Sequence, residues 1–167
     1  MKKIILSYGA IAGIVIISSI TLGLHNGLES HWFGYLIMII AFSAIFVAIR
    51  QYRDQALGGV ITFGQGFALG AGITVVAGIF HVAGWELYLA STDYTWMDSY
   101  VASLIDAKRE SGASAAEITE FIAQTEQTIE WYRNPFLRMP LTFVEILPVG
   151  LVVTLISAGV LRNRKTS

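Results

Sequence analysis

The chain has 167 residues, of which 54% are hydrophobic and 14% charged, and its formal net charge is −1. Soluble domains carry about 25% charged residues, so this composition places the chain among membrane proteins. Its 11 basic residues are spread along the whole length, which excludes the clustered lysines and arginines that a nucleic-acid-binding surface requires. The absence of cysteine excludes disulfides, thiolate metal sites and thiol catalysis.

The first predicted element is a membrane span over residues 4–24. Its apolar run is long enough to cross the hydrocarbon core, whereas the apolar region of a secretory signal peptide is usually about 7 to 15 residues. The exit TLGLHNG also lacks a convincing cleavage site. Gly9 and Gly13 form a G-x-x-x-G pattern on one face, which predicts a close helix contact.

A second predicted span covers residues 33–49. It returns antiparallel to the first, because the connection from His25 to His31 is short and polar. It ends at Arg50, and Gly58-Gly59 permits the turn into the next span.

The third predicted span, residues 61–89, is the element around which the chain is organised. It is glycine-rich and almost uncharged, and it is longer than the roughly 30 Å hydrocarbon core requires. Lipid supplies little hydrophobic drive between helices, so small residues that allow close packing are expected at the contacts. Two neighbouring faces carry such residues, with Gly64, Ala68 and Gly72 on one and Gly66 and Gly70 on the other.

A water-facing insert is predicted at residues 93–133, which hold eight acidic and three basic residues. Two amphipathic stripes separated by SGAS predict a pair of helices folded as an antiparallel hairpin. Ser114 and Glu117 have the spacing of a capping box, which places the start of the second helix at Ala115.

The fourth predicted span, residues 141–161, contains Glu145 and Pro148. Proline removes a backbone hydrogen-bond donor, so we expect the helix to bend near the acid. Gly150 begins another stripe of small residues. These elements predict an all-α polytopic membrane protein, a single membrane domain over residues 1–167.

The distribution of basic residues predicts that both termini lie in the cytoplasm, because lysine and arginine near span ends are retained there. The insert would then face the periplasm or the exterior. The residues expected on the cytoplasmic side are Lys2, Lys3, Arg50, Arg53, Arg162, Arg164 and Lys165.

Polar groups within the predicted spans are the candidates for a functional site. Glu145 and His81 fall at similar depth, and a carboxylate in contact with an imidazole would suit proton relay or cation binding. Gln65 lies in a G-Q-G sequence that would suit an unwound segment lining a substrate site. The alternatives are that Glu145 and Glu86 reach the headgroups, that His81 bonds a neighbouring helix and that the glycines only pack.

Several motifs, taken in their order and spacing, resemble those of one family. They are Tyr52-Arg53-Asp54, Gly58-Gly59, ITFGQGF at 61–67 with Gly70, Tyr132-Arg133-Asn134-Pro135, and Gly150 with LISA at 155–158. The chain resembles an uncharacterised bacterial membrane family catalogued as domain of unknown function 4199. The resemblance implies a four-span protein with a helical insert before the last span, and it brings no activity, cofactor or catalytic residue.

Two functional hypotheses remain. The first is a non-enzymatic structural or interaction protein of the bacterial inner membrane, whose hairpin contacts a partner or a second copy. The second is transport of a small solute or ion through an oligomeric bundle, using Glu145, His81 and Gln65. The sequence contains no legible nucleophile-and-base, metal or nucleotide-binding pattern, so it predicts neither an enzyme nor a cofactor or metal site.

Overall fold

The computed structural model describes residues 1–27 and 31–163. Within these ranges the chain forms seven helices and no strand, which confirms the predicted all-α fold. The helices are α1 (Lys2–His25), α2 (His31–Phe42), α3 (Ala44–Ala56), α4 (Phe63–Ser91), α5 (Trp96–Glu110), α6 (Ala115–Arg133) and α7 (Pro135–Leu161).

Four helical stretches are long and apolar enough to cross a membrane: Lys2–His25, Trp32–Ala56, Phe63–Ser91 and Pro135–Leu161. Their most apolar windows have a mean hydropathy of 1.8 to 2.4, yet only 28% to 44% of each window is buried within the chain. Helices that expose this much apolar surface are stable in lipid and not in water. The protein is therefore a membrane protein with four spans, as predicted.

The helices extend beyond the apolar runs from which they were predicted. The second stretch continues to Ala56 but is interrupted at Ser43, whose hydroxyl donates to the carbonyl of Ile40 at 2.6 Å. Such back-bonding competes with the helical ladder. The last helix begins at Pro135, because proline lacks the donor that a first helical residue leaves unpaired, and it stays helical through Pro148.

The chain divides into two compact units, one formed by residues 1–85 with those from Thr142 onward, the other by Glu86–Leu141. The first unit has an apolar core to which every span contributes. Its fully buried side chains include Ile16 of α1, Phe42 of α2, Ile45 of α3, Ile73 of α4 and Ile146 of α7.

Within the first unit, α4 contacts both α1 and α7. A Cβ at Gly9 would lie 2.5 Å from the Cβ of Val76, and one at Gly72 would lie 2.9 Å from Ile5, so α1 and α4 run parallel. Positions along α7 pair with α4 in the opposite order. These pairs are Gly66 with Ala158, Gly70 with Thr154, Thr74 with Gly150 and Gly78 with Phe143.

One end of the first unit gathers several basic residues. The hydroxyl of Tyr8 donates to Gln51 at 2.8 Å, which brings the first turns of α1 to the end of α3. The backbone N–H of Ile61 donates to Asn163 Oδ1 at 2.9 Å, which brings the turn before α4 to the end of α7. Lys2, Lys3, Arg50, Arg53 and Arg162 belong to these segments.

The second unit is built on the helix pair α5 and α6. The two helices run antiparallel, because Asp98 near the start of α5 accepts a hydrogen bond from Arg133 at the end of α6, at 3.0 Å. The capping box at the start of α6 is confirmed: the Ser114 N–H donates to the Glu117 carboxylate at 2.8 Å, and the Glu117 N–H donates to the Ser114 hydroxyl at 3.3 Å.

Candidate functional site

The two residues predicted to form an intramembrane pair are placed differently in the first unit. His81 of α4 is only 3% exposed, and its Nδ1 has no hydrogen-bond partner among the described residues. Glu145 of α7 lies on an exposed position. The structure therefore does not join His81 to Glu145 through Nδ1.

Gln65 caps the start of α4. Its Oε1 accepts from the backbone N–H of Thr62 at 3.0 Å, and the Thr62 hydroxyl accepts from the Gln65 N–H at 3.2 Å. These two bonds are the reciprocal pair of a capping box, in which the fourth residue is glutamine. Because α4 is helical from Phe63, the G-Q-G sequence is part of the helix and not an unwound segment. The T-x-x-Q spacing carried this signal in the sequence.

The two small-residue faces of α4 differ in how many of their residues contact another helix. Gly66 and Gly70 lie against α7, where a Cβ at Gly70 would come within 2.6 Å of Thr154. On α1, a Cβ at Gly13 would lie 2.5 Å from the carbonyl oxygen of Ala77 in α4. By contrast, no described atom lies within 4 Å of a Cβ at Gly64, and Ala68 is exposed.

A buried ion pair lies in the second unit, between Glu86 near the end of α4 and Arg138 in the first turns of α7. Arg138 Nε donates to Glu86 Oε1 at 2.8 Å, and Nη2 donates to Oε2 at 2.6 Å. The side chains are 4% exposed for Arg138 and 17% for Glu86. Arg138 Nη1 also donates to the carbonyl oxygen of Tyr132 at 2.8 Å. Three chain segments thus meet at one guanidinium.

Two tyrosine rings flank this guanidinium. The Arg138 Cζ lies 5.5 Å from the ring centroid of Tyr94 and 5.6 Å from that of Tyr132, both within cation–π range. Tyr94 and the preceding Asp93 have φ values of 59° and 50°, in the left-handed region that favours glycine. Strained backbone of this kind persists only where its surroundings hold it, and here it turns the chain directly after α4.

A small cavity opens beside the ion pair, with about 80 Å³ of space for water-sized groups. Two apolar side chains, two tyrosines and two arginines line it. The lining residues are Leu89, Tyr94, Met97, Tyr132, Arg133 and Arg138. The cavity thus combines an apolar surface with guanidinium donors.

The family whose model is described as "Protein of unknown function (DUF4199)" matches residues 7–163. The chain belongs to this family. The predicted resemblance is thereby confirmed. No curated protein and no solved structure matches the chain.

In this member of DUF4199, sequence reasoning missed the role of Arg138. The sequence patterns assign Arg138 to neither a span nor a site, and for Glu86 they leave open an intramembrane polar group or a side chain that reaches the headgroups. The available signal was a basic residue shortly before the fourth span and an acidic one near the end of the third, since opposite charges near adjacent span ends can pair. Because the two residues are 52 positions apart in the chain, no local pattern predicts the pairing.

Proposed function

We propose that the protein is a non-enzymatic interaction protein of the membrane, in which the α5–α6 pair docks a basic segment of another protein. The observation that carries this proposal is an insert whose acidic residues are all exposed and whose second helix carries a partly exposed apolar stripe.

The charge of the insert favours a basic partner. All eight acidic residues between 93 and 133 are exposed, and against three basic residues they leave a net charge of −5. Only Asp98 and Asp106 form ion pairs within the described insert, with Arg133 and Arg109 respectively. A second copy would oppose the same charge, and anionic lipid headgroups would do so too, so both are disfavoured as the occupant.

The apolar stripe of α6 favours an extended contact. Ile118, Ile122, Thr125 and Ile129 recur at helical spacing on one face. Ile122 is 42% exposed and the other three are only partly buried, because two helices can cover only one seam between them. An amphipathic basic helix laid along this stripe would complete a three-helix arrangement.

The hydrogen bonds that Arg138 donates to Glu86 and to the carbonyl oxygen of Tyr132 support a docking role for the insert. Through these charge-assisted hydrogen bonds, the Arg138 guanidinium holds the end of α6 to the last turns of α4 and the first turns of α7. A surface that is ordered before binding loses less conformational entropy when a partner docks.

The topology we propose has both termini in the cytoplasm of a bacterial cell and the insert outside the inner membrane. It is supported by the basic residues gathered at one end of the first unit, since such residues are retained in the cytoplasm.

Site-specific photo-cross-linking in native membranes tests the docking role. A photoreactive residue at Ile122 should give an adduct with a protein that presents a basic helix. The same residue at Gln124, which is exposed and lies about 160° around the helix, should give much less. The adduct should fall several-fold in 1 M salt, where the Debye length is about 3 Å, and in the triple variant E120Q, E126Q, E130Q. The proposal would be refuted if every adduct joined two copies of this chain. It would also be refuted if the adduct yield changed neither in 1 M salt nor in the triple variant.

A further inference from the structure

We propose that the cavity beside Arg138 binds a phosphate group, held by the guanidinium of Arg133 together with the donors of Arg138 that the ion pair leaves over. This site is separate from the docking stripe on α6. The phosphate could belong to a lipid headgroup or to a soluble phosphate, and the experiment distinguishes the two.

Donors remain at the cavity after the internal hydrogen bonds are assigned. A guanidinium has five N–H groups. Arg138 gives two to Glu86 and one to the carbonyl oxygen of Tyr132, so one N–H on each terminal nitrogen has no acceptor among the described residues. Arg138 is 3% exposed, and donors at this depth need a partner. An oxyanion in the adjoining cavity would provide it.

Arg133 supplies the second guanidinium. Its side chain is 66% exposed, and its single hydrogen bond within the described chain runs from Nη2 to Asp98 at 3.0 Å. Four N–H groups are therefore left in the planar fork that matches phosphate oxygens. Both arginines line the same cavity.

The local charge favours a singly charged phosphate. The positive charges of Arg133 and Arg138 are balanced by Asp98 and Glu86, so the site has no large excess of positive charge. A phosphodiester, with one negative charge, requires less neutralisation than a doubly charged phosphate. The phosphodiester oxygens would also accept from the N–H groups of Arg133 and Arg138 that remain after their internal hydrogen bonds are assigned.

The surroundings suit the headgroup level of a bilayer. Leu87, next to Glu86 in the chain, is 73% exposed, and Phe136, two residues before Arg138, is 86% exposed. Both belong to helices long and apolar enough to span a membrane. Tyrosines with a polar tip and an apolar ring are enriched at this level, and Tyr94 and Tyr132 line the cavity. A lipid phosphate in the cavity would leave its chains against such apolar surface.

Titration of the delipidated full-length protein in detergent micelles, followed by ³¹P NMR, tests the site. The probes are dihexanoyl phosphatidylglycerol and inorganic phosphate. R133Q is compared with R109Q, which removes the same charge from an arginine that is 61% exposed and likewise pairs with one aspartate, Asp106. R133Q should weaken binding about tenfold, the loss of one charge-assisted contact, while R109Q should bind as the parent does.

The two probes separate the sources of the phosphate. A response to the lipid alone assigns the site to a headgroup, and an equal response to inorganic phosphate assigns it to a soluble phosphate. Either result supports the proposal provided that R133Q weakens the binding and R109Q does not. Equal affinities of R133Q and R109Q for both probes, or no binding of either probe, would overturn it. Arg133 is exposed, so both variants should retain the unfolding midpoint of the parent.

Discussion

Removal of one charge from the Glu86–Arg138 pair should destabilise the second unit more than any exposed charge change. In Glu86→Gln, the amide keeps one acceptor for Arg138 but places a donor where Oε2 accepted from Nη2 at 2.6 Å. The guanidinium, with a side chain only 4% exposed, is then left with an uncompensated charge. Breaking a buried pair in this way costs about 3 to 5 kcal/mol.

The loss of free energy of unfolding should fall at the lower end of that range, because the Glu86 side chain is 17% exposed. About 3 kcal/mol corresponds to a more than hundredfold increase in the unfolded population, since about 1.4 kcal/mol is a factor of ten. The matched control is Asp106→Asn, whose pair with Arg109 is more than half exposed on both sides. It should cost less than about 1 kcal/mol.

Pulse proteolysis in detergent micelles over a urea series measures the free energy of unfolding of each variant. The double variant E86L, R138L tests the cause. It removes both charges, and so it should cost less than E86Q alone, although the carbonyl oxygen of Tyr132 loses its donor. The reasoning would be refuted if E86Q and D106N lost equal free energy of unfolding, or if the double variant lost at least as much as E86Q.

Three further predictions concern packing, capping and the buried histidine. Gly70→Ala should cost about 1 to 3 kcal/mol, because the new Cβ would come within 2.6 Å of a threonine side chain, whereas Gly64→Ala, in open space, should change the unfolding midpoint in micelles little. Hydrogen bonds from the Ser114 backbone and then its side chain hold the pKa of Glu117 below its ordinary value. The stabilisation by these hydrogen bonds is therefore present above the ordinary carboxyl pKa and is lost as pH falls through the lower pKa of the folded state. In thermal melts followed by circular dichroism, the unfolding midpoint of S114A should fall less on acidification than that of the parent. An equal fall in both proteins would contradict the linkage. His81→Leu should lower the free energy of unfolding by less than about 1.5 kcal/mol, because Nδ1 has no hydrogen-bond partner to lose among the described residues. The same variant should leave proton and cation flux in reconstituted vesicles unaltered. A lost flux at preserved stability would favour the transport hypothesis instead.

Local patterns in the sequence were sufficient for the class of protein and for several element boundaries. The four apolar stretches required four spans, because each alone is long enough to cross the hydrocarbon core. The start of α6 at Ala115 followed from Ser114 and Glu117, whose hydrogen bonds join residues three apart. The cap at Gln65 follows from the same kind of spacing, T-x-x-Q. The flanking glycines suit both an unwound segment and close packing, and neither interpretation includes the cap.

The sequence by itself determined that this chain is an all-helical, four-span member of its family, because hydropathy and capping act over a few neighbouring residues. Only the tertiary structure decided which of the two small-residue faces of α4 meets α7, and that Glu86 binds Arg138. Both depend on the rotation of each helix about its axis and on which helices become neighbours. Those variables are set jointly by packing between helices, so residues far apart in the chain acquire their partners only when the whole fold forms.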